Sequence, residues 1–161
     1  MNRKGFTLME LLLVVAVLAI VAAAAAPTFF GGAQDAMNEA KKASMMSAYQ
    51  NTMSGANMLT AIAASKGVLP TTAGELSVTL PGETTAKTIA DYTPLAARVF
   101  TNIAGKRYAF GAHFDGNKVV AFYNRIADTG DPVEPAHSTT NLITNANTDL
   151  ETVWNSIKTA E

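Results

Sequence analysis

Lys4-Gly5-Phe6-Thr7-Leu8-Met9-Glu10, followed by residues 11–30 without a single charge, is the stretch that decides how this chain is read. Arg3 and Lys4 make a very short basic start, and Glu10 is the only charged residue between Phe6 and Gln34. About 20 apolar residues cross a hydrocarbon core, so residues 6–30 are long enough for a spanning helix. Arg3 and Lys4 would stay on the cytoplasmic side and leave the C-terminal bulk outside. A conventional secretory signal also begins with basic residues and an apolar core, and Ala22-Ala23-Ala24-Ala25-Ala26 offers it a small-residue cleavage site. Against that reading stands Glu10. A carboxylate in a membrane segment costs about 2.5–3.5 kcal/mol at the centre, and less near the interface. An ordinary signal peptide has no use for such a charge.

The residues from Lys4 to Glu10 resemble the processing motif of type IV prepilins and pseudopilins. The resemblance implies a prepilin peptidase that cuts between Gly5 and Phe6 and methylates the new amine on Phe6. It places the family's glutamate at Glu10, four residues beyond Phe6, and its helix-interrupting proline at Pro27. It covers roughly residues 3–30, and nothing downstream extends it by motif. Cleavage would free a positive amine at Phe6 among apolar helices. Glu10, one helical turn away, would neutralise that amine in its own chain or in a neighbouring subunit. Because an unpaired buried charge is costly, such pairing would fix the stagger between helices. Phe6 and Glu10 are therefore expected to act in assembly rather than catalysis.

The expected organisation is a leader at residues 1–5, a transmembrane and assembly helix at 6–30, an amphipathic continuation at 31–67 and a globular β-containing domain at 68–161. Pro27 removes a backbone donor, and Gly31 and Gly32 weaken the helix further, so a kink or local melting is expected there. Met46, Tyr49, Met53, Ala56, Leu59 and Ala63 recur at spacings of three and four, the mark of one helical face. Gly67 supplies a stop. A helix over residues 6–66 would be about 90 Å long.

Beyond Gly67 the sequence becomes rich in threonine, glycine and proline. Leu76, Val78 and Leu80 alternate as a short strand would. Thr93-Pro94 resembles a helix start, with Leu95, Val99 and Ile103 on one side and Gly105 as a stop. Residues 107–114 and 118–126 are rich in aromatic and β-branched side chains and flank Asp115-Gly116-Asn117, which predicts a hairpin. Residues 128–147 read as a polar loop. Thr148-Asp149-Leu150-Glu151 reads as a capping box before Leu150, Val153, Trp154 and Ile157 at helical spacing. The fold class expected is α+β, a long N-terminal helix packed on a small antiparallel sheet, with a short C-terminal helix.

Composition removes several functions. Twelve Lys and Arg against thirteen Asp and Glu give a net charge of -1, which leaves no basic field for nucleic acid. Without cysteine there is no disulfide, thiolate metal site or haem attachment. His113 and His137 lack the spacing of a transition-metal motif, and His113 falls in the expected hairpin, where a structural role is the simpler reading. No nucleophile elbow or phosphate-binding loop occurs, and no enzyme activity is expected. Asp128, Asp131 and Glu134 crowd one loop and suit calcium, which favours oxygen ligands; the competing reading is a plain solvated loop. No other cofactor is expected.

The resemblance implies a structural subunit that begins as a single-pass inner-membrane precursor and polymerises through its N-terminal helix. Its partners would be copies of itself, the prepilin peptidase, and an inner-membrane assembly platform driven by a cytoplasmic ATPase. Adhesion, motility and DNA uptake are all uses of such a filament. The alternative within the family is the major pseudopilin of a type II secretion system, which builds a periplasmic pseudopilus. Pro70-Thr71-Thr72 resembles a stretch of those proteins, but Leu69 stands where they carry an aromatic residue. A soluble secreted protein beginning near Pro27 is the alternative from another class.

Overall fold

The computed structural model describes residues 8–92, 98–128 and 135–161. Two units make up the chain, Met1–Glu39 and Ala40–Glu161. Helix α1, Leu8–Lys66, contributes to both. Its backbone is helical through Pro27, Gly31 and Gly32, where the sequence leads one to expect a kink or local melting. One proline removes a single backbone bond, and the helical turns on either side keep theirs.

In the second unit, α1 presents Met45, Ala48, Thr52, Ala56, Leu59 and Ala63, all fully buried. The interval from Ala56 onward is the one the sequence predicts. Three turns earlier the core side chain is Met45, whereas Met46 is exposed, and the predicted Tyr49 and Met53 pack half-buried against the core. Thr52 is tolerated in this face because its hydroxyl donates to the Ala48 carbonyl at 3.0 Å. The helix ends where expected. Gly67 adopts φ 67°, which a side chain would strain, and the Gly67 and Val68 amides close on the Ala64 and Ala63 carbonyls.

The strands are β1 (Gly74–Glu75), β2 (Phe100–Thr101), β3 (Arg107–Phe114), β4 (Val119–Arg125) and β5 (Leu142–Ile143). They form one antiparallel sheet in the order β1-β3-β4-β5, with β2 also paired to β3. The β3–β4 hairpin is the one predicted. Its turn is held by the Asp115 carboxylate, which accepts the Asn117 and Lys118 amides at 2.9 and 2.8 Å. Those bonds hold the Asp115 carboxyl below the usual carboxylate range.

Register sorts the hairpin into two faces. Phe110 pairs with Tyr123 and Ala112 with Ala121 on the face that packs against α1. Gly111 pairs with Phe122, His113 with Val120 and Ala109 with Asn124 on the other. Because all of β3 after Arg107 is buried, both faces must be covered. Residues 135–141 cover the second one. Asn124 Nδ2 donates to the Ala136 carbonyl, Asn141 Nδ2 donates to the Tyr123 carbonyl at 3.0 Å, and the His137 ring meets Phe122 edge to face at 5.4 Å.

Four expectations need correction. Val99 and Ile103 are not helical: Phe100–Thr101 is strand β2. Phe100 is 1 % exposed and stacks on Tyr108 and Phe110 at 5.8 and 5.2 Å, and this burial in the sheet outweighs the weak periodicity around it. Thr93, Pro94 and Leu95 lie outside the described residues. The alternation of Leu76 and Val78 does mark burial, but the paired strand is Gly74–Glu75, and Val78 makes only a bridge to Lys87. The segment read as a polar loop contains β5, whose Ile143 is buried against Ala121. Helix α2 spans Ala146–Ile157 and so begins before Thr148: the Asp149 carboxylate accepts the Asn145 amide at 2.7 Å.

Helix α2 docks as its apolar spacing predicts. Val153, Trp154 and Ile157 are buried with Met45, Phe110 and Ile143. Lys42 of α1 pairs with Glu151 at 2.5 Å. The end of α2 is held by Asn102, which is fully buried. Its Nδ2 donates to the Ile157 carbonyl, and its Oδ1 accepts the Lys106 amide at 2.8 Å.

Candidate functional site

The site is built on the first turns of α1. Leu8–Ala25 is long and apolar enough to cross a membrane, and none of it is buried within the chain. At 1.5 Å per residue this window is about 27 Å long, close to the hydrocarbon thickness of a bilayer. Leu8, Leu11, Leu12, Leu13, Val14 and Val15 are all exposed, and together they occupy every side of the helix. A helix that is apolar all round belongs in lipid or among other apolar helices. Each of its large aliphatic side chains gains about 1.5–3 kcal/mol on leaving water. A soluble existence for this segment is therefore strongly disfavoured.

Glu10 lies in the first turn, the one acidic residue there. A carboxylate at this end of a helix is favoured by the backbone dipole, by about 0.3–1 kcal/mol when exposed. Leu13 and Val14, one turn further on, share its side of the helix, so the charge is set into an apolar surface. Gly5 and Phe6 lie outside the described residues. The described part of this arrangement is thus one carboxylate on an apolar helix surface.

The other singled-out residues are not gathered here. Pro27, Gly31 and Gly32 are internal to α1. Asp128 pairs with Arg125 at 2.8 Å, while Asp131 and Glu134 lie outside the described residues. Among the described residues no group of three or more His, Asp or Glu side chains is placed to hold a metal ion. The structure does join two residues that the sequence kept apart. His113 Nδ1 and His137 Nε2 are 2.8 Å apart, although 24 positions separate them. No spacing rule reaches that far; the sequence placed His113 in the expected hairpin and gave no partner for it.

Residues 1–26 match the family model described as the prokaryotic N-terminal methylation motif. Neither the curated proteins nor the solved structures contain a match to the chain. The chain thus carries the class III signal of type IV pilins and pseudopilins, and its α+β arrangement matches the pilin-like fold. The motif implies processing by prepilin peptidase and marks structural proteins rather than a class of enzymes. Motif and apolar helix together fit a membrane-anchored precursor of a type IV pilin or pseudopilin.

Proposed function

We propose that this chain is the structural subunit of a type IV pilus filament, cut between Gly5 and Phe6 and polymerised through the N-terminal part of α1. The observation that carries the reading is an apolar helix exposed on all sides, with Glu10 the lone carboxylate set into it. Before assembly the bilayer covers that surface. During assembly the same surface of neighbouring subunits replaces lipid, so extraction becomes feasible only as each helix finds equally apolar partners. A contact repeated by rotation and rise gives an open helical polymer. The Phe6 amine and Glu10 supply its register, since any stagger that separates them leaves two buried charges unpaired. The globular unit, residues 40–161, then decorates the filament surface. An assembly platform and a cytoplasmic ATPase would drive the cycle. Adhesion, motility and DNA uptake are the uses open to such a fibre.

Glu10→Ala tests the register. Removing one partner of a buried ion pair costs about 3–5 kcal/mol. The variant should be cleaved and held in the membrane at wild-type levels, yet yield at least tenfold less sheared filament. Wild-type filament yield from Glu10→Ala would refute the role assigned to the carboxylate.

A further inference from the structure

The second face of the sheet is closed by a short strap, residues 135–141, and the strap is fastened by an imidazole pair. His113 is 5 % exposed on β3, while His137 is exposed on the strap. Their rings lie 11° from parallel with centroids 5.1 Å apart, and the facing nitrogens are 2.8 Å apart. That geometry is two rings side by side, joined by one N–H···N bond in their common plane. Such a bond needs one protonated and one bare nitrogen at the contact. A doubly protonated pair would set two N–H groups and two positive charges against each other. The closed pair therefore excludes at least one proton that two separated histidines would take up.

We propose that His113 and His137 form a proton-operated latch: with at most one proton beyond neutrality they hold residues 135–141 over the sheet, and further acidification frees the strap and uncovers Phe122. Among the described residues the strap is also fastened by amide hydrogen bonds that do not titrate: Asn124 Nδ2 to the Ala136 carbonyl, Asn141 Nδ2 to the Tyr123 carbonyl and to Asn124 Oδ1 at 3.3 Å, and the Tyr123 amide to the Asn141 carbonyl at 3.2 Å. The groups facing His113 come from several elements. Val120 is its uncharged partner on β4, Glu75 its partner on β1, and Asp115 and Lys118 belong to the hairpin turn. Asp131 and Glu134 precede the strap and lie outside the described residues. Desolvation, then the neighbouring His137, push the His113 pKa below its usual 6.5, and Asp115 opposes them. A histidine with a depressed folded-state pKa stabilises the fold fully above about 6.5, and the contribution is lost as pH falls below that value. Acid release has the matching sign.

The latch does not depend on the filament reading, because all its parts lie within residues 40–161. The test is amide exchange on the full chain in detergent micelles, corrected for intrinsic rates, at pH 7.5 and 5.0. A free imidazole of pKa about 6.5 is protonated about thirty to one at pH 5.0. Opening should rise by about that factor for each excluded proton. The reporter is the Tyr123 amide, bonded to the strap carbonyl of Asn141. Its corrected exchange should rise about thirtyfold on acidification in the wild type and by clearly less in His137→Gln, where only the desolvation of His113 still opposes protonation. The imidazole ¹⁵N signals should show a shared N–H at pH 7.5. The latch is overturned by no rise in the wild type, by an equal rise in His137→Gln, or by two rings that titrate independently near 6.5.

Discussion

Gly111→Ala is the substitution for which the structure gives the clearest expectation. Gly111 faces Phe122 across the hairpin, and the Phe122 ring lies directly over it. A Cβ built at residue 111 would stand 2.2, 2.6 and 2.9 Å from three atoms of that ring, where ordinary contact begins at 3.4 Å. The ring must retreat by about 1 Å, yet it is fully buried and meets His137 on another side. Overpacking of this kind typically costs about 1–3 kcal/mol. A smaller term opposes it, because alanine restricts the unfolded chain by about 0.4–1 kcal/mol relative to glycine. The net destabilisation should be about 1–2 kcal/mol. For the unit formed by residues 40–161, each kcal/mol corresponds to about 4 °C in Tm, so a fall of about 4–8 °C is expected. Thermal unfolding of the full chain in detergent, followed by fluorescence of the buried Trp154, reads this directly. Combining Gly111→Ala with Phe122→Leu should recover stability relative to the sum of the single changes, by about 1 kcal/mol or more. If Gly111→Ala melts at or above the wild-type temperature, the account of this close approach is wrong.

Two further changes probe the other ends of the molecule. Asn102→Leu removes the side chain that joins the Ile157 carbonyl and the Lys106 amide, leaving both without that partner; a loss of about 2–4 kcal/mol is expected, read by chemical denaturation of the full chain. A loss below about 0.5 kcal/mol would mean that Asn102 does not anchor the end of α2. Gly5→Leu should block processing, so uncut precursor accumulates in the membrane and is seen as a larger band by immunoblotting. Normal maturation of Gly5→Leu would move the cleavage site elsewhere.

How much of this was readable in advance depended on whether the determining contacts were local. The apolar run, Glu10 and the Gly67 stop are local features, and the helix follows them. The hairpin was also legible, because aromatic and β-branched residues flank a turn that Asp115 closes with its own carboxylate. Strand β2 was not. Its Phe100 is held by ring contacts with Tyr108 and Phe110, which outweigh a helical spacing that nothing else supports. Strand β5 is two residues in a run of Asn and Thr, and it exists because β4 offers an open edge and Ile143 finds the core. In α2 the cap came earlier than the Thr-x-x-Glu pattern indicated, since Asp149 reaches back to Asn145. At the site the same division holds. The processing motif is contiguous and was visible at once, whereas the histidine pair depends on the strap crossing the sheet.

Intact and N-terminal peptide mass spectrometry of filaments sheared from producing cells would show whether a processed subunit polymerises through its N-terminal helix. The dominant species should begin at Phe6 and carry one added methyl group. The same methylated species confined to membranes, with no sheared fibre, would contradict the pilus filament and favour a pseudopilus subunit. A chain beginning near Pro27 would contradict the whole account.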